Sequence, residues 1–287
     1  MRPLAPWLLA ILVVLVAWPV HAAELGVATL VQGGSRVLRG STWYKVVPGA
    51  RLEDGDILEV TGEAQIHMEF GPSTVVGLSG PGTIYLEPLP SKGRAEAAGG
   101  PLLDLRGGWL KVATMKPGIR LRAPAAEVSV IDGVVVARTE GSALHLFVES
   151  GTARLTESSA EAKVRDAKSG EYWSKIPGAT LAMASRPPKA FVDAMPRSYF
   201  DALPHLLDKF KAKPTLVAEG EISYAEAEPW LAGPQRAVFE RRFMSRLRDR
   251  TFRNAVAPHV ARYPSWDRRL NPQKFAPKPV PQPATRP

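Results

Sequence analysis

Between Val27 and Val148 apolar and polar residues exchange places at every second position. Ala64, Ile66, Met68 and Phe70 alternate with Gln65, His67 and Glu69; Ile119 and Leu121 alternate with Arg120 and Arg122; Leu144, Leu146 and Val148 alternate with His145, Phe147 and Glu149. A period of two sends alternate side chains to opposite faces, so these runs predict half-buried strands. Shorter runs at Val27 to Val31, Arg36 to Leu38, Ile57 to Val60, Thr74 to Leu78, Thr83 to Leu86, Leu110 to Ala113, Val128 to Ile131 and Val134 to Ala137 extend the series. Gly or Pro punctuates it roughly every ten residues, the spacing of antiparallel sandwiches, barrels and irregular solenoids. The stretch Pro88 to Pro101, PLPSKGRAEAAGGP, is too polar and too broken to pack and is expected to loop out between two halves of the β unit.

From Pro196 the period changes to 3.6. Leu203, Leu206, Leu207 and Phe210 predict a short amphipathic helix over Asp201 to Lys211, with Pro204 in its first turn. Ser223 and Glu226 form a capping box before Ala225 to Leu231, and Gly233 ends that helix. Pro234 opens the next, carrying Phe239, Phe243 and Leu247, and Asp249 caps another with Phe252, Val256 and Val260. Beyond Phe275 the sequence APKPVPQPATRP predicts an extended tail. The expected fold is mainly β, an antiparallel β-sandwich or irregular β-solenoid domain followed by a small α-helical domain. The divisions are a signal peptide over 1–22, a β domain over 23–184, a basic helical domain over 185–275 and a Pro-rich tail over 276–287.

The first segment changes the picture by fixing a compartment. Arg2 is the only charge before an apolar run from Trp7 to Trp18, Pro19 breaks it, and Val20-His21-Ala22 presents a cleavage signature that predicts processing between Ala22 and Ala23. The run is well short of the ~20 residues a spanning helix needs, so no transmembrane segment is expected after cleavage. The chain of 287 residues has no Cys, which excludes disulfide frameworks, thiolate zinc sites, cysteine nucleophiles and a lipid anchor on a mature N-terminal Cys. The expected location is the periplasm.

Charge is uneven. Glu24 to Ala184 carries 17 Lys/Arg against 18 Asp/Glu, whereas Ser185 to Pro287 carries 19 against 10. Arg236 to Arg253 holds seven Arg against Glu240 and Asp249, a local +5, and Arg242, Arg246, Arg250 and Arg253 are the candidate partner-binding face. In an exported protein such a face meets acidic envelope proteins or anionic envelope components rather than nucleic acid. A solvated helix face with local ion pairs is the simpler reading of the same residues.

Candidate chemistry is sparse. The His residues show no i, i+4 spacing and no His-Glu-x-x-His pattern, Gly99-Gly100 and Gly107-Gly108 do not form a phosphate loop, and no Gly-x-Ser-x-Gly elbow is present. No catalytic residue, cofactor or metal is expected, and the chain reads as non-enzymatic. In Leu52 to Ile57 a glycine between acids reads as a tight turn rather than a calcium loop, and Asp132-Gly133 reads the same way. Trp43-Tyr44 and Tyr172-Trp173 offer rings on which a sugar could stack, although large aromatics in β segments also fill cores or cover edges.

Several motifs occur in a characteristic order: Gly26-Val27 opening a strand, Val47-Pro48-Gly49-Ala50-Arg51-Leu52, Asp54-Gly55-Asp56-Ile57-Leu58 with Thr61-Gly62, and the strand Ala64 to Phe70. LRGGWLKV over Leu105 to Val112, Ala123-Pro124-Ala125-Ala126 and Val148-Glu149-Ser150-Gly151-Thr152-Ala153 follow. Over about Gly26 to Ala184 this order resembles the FecR family of periplasmic β domains. The family's Asp-Gly-Ser turn stands here as Gly71-Pro72-Ser73, and its Arg-Gly-Thr as Ile131-Asp132-Gly133. FecR-type sigma regulators carry a cytoplasmic anti-sigma segment before a membrane helix, whereas the expected leader here is a signal peptide. The resemblance implies a non-enzymatic periplasmic protein-interaction or regulatory module of the Gram-negative envelope, without the transmembrane relay. The alternative is a protein associated with peptidoglycan or cell-wall glycan through Trp43, Tyr44, Tyr172 and Trp173.

Overall fold

The period-two runs pair into one sheet of 15 strands. The structure, a computed structural model, describes residues 24–88, 100–115, 118–158 and 162–275. The expected cleavage site at Ala22 and Ala23, residues 89–99 of the polar segment and the Pro-rich tail lie outside the described residues. The strands are β1 (Glu24–Gln32), β2 (Ser35–Arg39), β3 (Thr42–Lys45), β4 (Arg51–Glu53), β5 (Ile57–Val60), β6 (Gln65–Glu69), β7 (Thr74–Glu87) and β8 (Leu102–Thr114). They continue with β9 (Ile119–Arg122), β10 (Ala126–Glu140), β11 (Ala143–Glu157), β12 (Val164–Lys168), β13 (Tyr172–Lys175), β14 (Ala182–Ala184) and β15 (Val217–Glu221). The main path runs β14-β13-β11-β10-β9-β8-β7-β5-β2-β3-β15, and β8 with β9 is the one parallel pair among the described strands. The protein is mainly β, with a small helical region at its C-terminal end.

Two pairs of predicted runs are halves of single long strands. Thr74 to Leu78 and Thr83 to Leu86 both belong to β7, which steps its register against β8 between Ser79 and Thr83. Val128 to Ile131 and Val134 to Ala137 both belong to β10, and Asp132-Gly133 is a kink inside that strand instead of a turn. Gly133 (φ 101°) faces Gly151 (φ 77°) across β10 and β11, and a Cβ on either would overlap the facing backbone carbonyl. Only glycine allows this approach at positive φ.

Residues from β1 through β13 meet in one core that includes Val37, Leu52, Ile66, Leu78, Leu110, Val128 and Leu146. The alternation of β6 promises an exposed second face, yet His67 and Glu69 are only 4% and 1% exposed. A strap after β14 covers them. It begins with α1 (Lys189–Ala194), whose Phe191 packs with Met195 and Tyr199 against Trp109, Val136 and Tyr172. Tyr199 Oη donates to Gly77 O at 2.6 Å and lies 3.1 Å from Trp109 O. The buried Lys111 ammonium donates to Tyr199 O at 2.5 Å and Asp201 O at 3.1 Å and pairs with Glu149 at 2.9 Å.

Glu69 Oε1 then accepts from Leu206 N at 2.7 Å, and Arg51 donates to Phe210 O at 2.9 Å. The helix expected over Asp201 to Lys211 does not form; a single 3₁₀ turn, Leu207–Lys209, stands in extended chain. Backbone groups that a helix would use internally are taken by side chains of the sheet, and Pro204 supplies no N–H.

The remaining helices are α2 (Tyr224–Leu231), α3 (Arg236–Arg242), α4 (Arg250–Val256) and α5 (Pro264–Leu270). Ser223 and Glu226 form the expected capping box, and Asp249 caps α4 by accepting from Phe252 N at 2.7 Å. Phe239, Phe243, Leu247, Phe252, Val256 and Trp266 do not close a core among themselves; they pack with Leu38, Trp43, Ile57 and Tyr85 of the sheet. The helices are a layer on the outer face of β2, β3, β5 and β7, tied down further where β15 pairs with β3. Among the described residues no helix is long and apolar enough to cross a membrane.

Candidate functional site

The arginine cluster divides into two populations. Helix α3 ends at Arg242, and Met244–Arg248 turns as a 3₁₀ helix, so Arg242 and Arg246 do not form a stripe on one continuous helix. Arg242 is expected from its spacing to be exposed, and the structure overturns this. Its guanidinium donates to Gly40 O at 2.6 Å, Leu38 O at 2.7 Å and Gly55 O, closing the β2–β3 and β4–β5 turns onto the helix. A planar fork of N–H donors satisfies several carbonyls at once. Burial draws the Arg242 pKa down, with Tyr85 and Asp56 opposing, but an arginine remains charged.

Arg246 is also docked. Its Nε donates to Ile222 O at 3.2 Å, its guanidinium lies 5.3 Å from the centre of the Phe252 ring, and Glu221 and Asp249 stand 3.8 and 3.7 Å away. Arg253 is half-buried and donates to Leu247 O at 3.2 Å. Of the four candidates only Arg250 is exposed. Arg241, Arg248 and Arg269 are exposed as well, and among the described residues these four arginines have no ion-pair partner. The fourfold periodicity of Phe239, Phe243 and Leu247 identified the buried face, but it gave no sign that Arg242 would reach across to loops two hundred residues away.

The aromatic candidates separate too. Neighbours in a strand point to opposite faces. Trp43 enters the core beneath the helical layer, whereas Tyr44 is half-buried against the main β core. Tyr172 packs beside Phe191, and Trp173 enters the main core with its Nε1 donating to Glu171 at 3.1 Å. The two pairs sit toward opposite edges of the sheet, on β3 and β13, and no four-ring platform exists.

Trp43 instead meets Trp230 of α2 at a cleft of 410 Å³, whose other walls include Glu59, Thr83, Arg106 and Glu226, with Pro124, Pro229 and Gly141 at its margins. Arg36 lies 3.9 Å over the Trp43 ring and reaches Glu59 and Glu226, each at 2.9 Å. Arg106 lies 5.4 Å from the Trp230 ring centre and is anchored by Asp104 at 2.7 Å. Burial raises the Asp104 pKa against the pull of Arg106. Burial acts the same way on Glu226, but hydrogen bonds from Ser223 and the Arg36 guanidinium outweigh it and hold that carboxyl below its usual range. These residues come from β2, β3, β5, β7, β8, two turns and α2, so no local spacing reveals them.

No protein-family model matches this chain, and no curated protein matches it. Among solved structures, two crystal structures of a "putative anti-sigma factor" from Parabacteroides distasonis ATCC 8503, at 2.50 and 1.65 Å resolution, superpose with a TM-score of 0.38 each, at 14% and 13% identity. The superposition covers 45% of this chain and 59% of the other, less than two thirds of that protein's length.

Proposed function

We propose that this chain is an exported, non-enzymatic protein-interaction module of the FecR type, acting in the periplasm of the cell envelope. Its partner is an envelope protein or another envelope component with an acidic surface. The observation that carries the reading is the division of the arginines. Arg242 is consumed by backbone carbonyls and Arg246 by Ile222 O and its acidic neighbours, while Arg241, Arg248, Arg250 and Arg269 keep exposed, unpaired charges on the helical layer. Unpaired exposed guanidinium groups recognise carboxylates and phosphates in bidentate geometry and accelerate encounter with anionic surfaces. The ordered motifs of the β region and the short apolar leader support the family and the compartment.

A photocrosslinking residue placed in intact cells at position 241 or 269 tests this reading. Discrete adducts are expected from these positions and not from exposed Val164 on β12. Adducts from position 164 alone would overturn the assignment of the helical layer as the partner face.

A further inference from the structure

We infer that the cleft between Trp43 and Trp230 binds a short neutral glycan. Its 410 Å³ falls within the range of about 300–1,000 Å³ of small-molecule sites, which pair apolar walls with a few placed polar groups. The polar groups here are both donors and acceptors, and most are held in place. Arg36 fixes Glu59 and Glu226 through one oxygen of each, and Asp104 fixes Arg106 through Nε and Nη2. Among the described residues Glu59 Oε2, Arg106 Nη1 and Thr83 Oγ1 take no hydrogen bond, and the indole N–H of Trp43 is buried without an acceptor. A buried donor of this kind ordinarily has a partner.

The charge around the cleft selects the ligand class. Glu59, Glu226 and Asp104 oppose an anion, and Arg36 and Arg106 oppose a cation. Adjacent hydroxyls satisfy such a wall because each both donates and accepts, donating to Glu59 while accepting from Arg106. Trp43 and Trp230 are 4% and 7% exposed and each has a guanidinium over its ring, so they wall the cleft rather than offer a stacking platform. A ligand in the cleft changes the surroundings of both indoles, which makes tryptophan fluorescence a reporter.

Titration of the full exported chain with chitotriose, cellotriose and maltotriose, followed by calorimetry and tryptophan fluorescence, tests the inference. At least one sugar is expected to bind with a Kd below about 1 mM and to change the fluorescence. Pro124 is exposed at the margin of the cleft, so Pro124→Trp is expected to block it and weaken binding at least tenfold with an unchanged melting transition; Thr83→Val, which removes only a hydroxyl, is expected to weaken it less. Reversing Arg241, Arg248, Arg250 and Arg269 to Glu is expected to leave sugar binding intact, which separates this site from the proposed partner face. Failure of all three sugars to bind, equal binding by Pro124→Trp, or preferential binding of a proline-rich or acidic peptide in the same cleft would overturn the assignment.

Discussion

Arg242 Nη2 donates to the carbonyl of Leu38 at 2.7 Å, joining residues 204 positions apart in the chain. The same guanidinium holds Gly40 and Gly55, so one side chain fastens the end of α3 to two turns of the sheet. Removing it leaves carbonyls facing a gap under the helical layer. Arg242→Ala is expected to cost about 1–3 kcal/mol, the penalty of leaving a buried hydrogen-bonding group unsatisfied. Arg250→Glu, at an exposed position, is expected to stay within about 0.5 kcal/mol of wild type. Urea unfolding of both variants checks this; equal stabilities would mean that Arg242 is not a fastener.

Tyr199 makes a second fastening, with its hydroxyl on Gly77 O at 2.6 Å in the middle of β7. Tyr199→Phe keeps the ring and deletes the bond. It is expected to destabilise the fold by about 1–2 kcal/mol while loosening the strap more than the sheet, because local opening draws on the least protected contacts. Amide exchange should rise over 196–206 and remain slow in β7 and β8. Uniform acceleration would show that the strap and sheet open only together.

His67 lies under that strap with neither ring nitrogen hydrogen-bonded. Burial lowers its pKa, and nearby Glu69 offsets this only in part. As pH falls through about 6.5, the ordinary histidine value, the unfolded chain takes up a proton that the folded chain refuses, so stability declines below that point and levels off once pH passes the lowered folded value. Unfolding free energies measured at pH 7.5 and 5.5 should differ more for wild type than for His67→Gln. The same difference in both proteins would remove His67 from the acid response.

The strands were legible where an apolar run is bounded by glycine or proline or alternates over several residues. Ile57 to Val60 was bounded correctly, and the apolar sets of β6, β9 and β11 all point into the core. What failed was the outward face: His67 and Glu69 look solvated in the sequence because nothing local announces a strap arriving from Tyr199 to Leu206. Short strands such as β4 and β14 carry too few residues to show a period. The capping residues Ser223 and Asp249 were readable because a cap acts within three positions. The fates of Arg242 and Trp43 were not, since their partners lie at Leu38, Gly55 and Trp230, and only the fold brings these together.

The proposed function depends most on the unpaired outer arginines binding an acidic partner. The direct measurement is the retention of wild type and of the variant with Arg241, Arg248, Arg250 and Arg269 changed to Glu on purified envelope fractions, over a salt series. Wild-type retention should fall as salt rises to about 0.15 M, where screening acts over about 8 Å, and the variant should bind weakly at every salt with an unchanged melting transition. Equal, salt-independent retention of both proteins would contradict the account and leave those arginines as a solvated face.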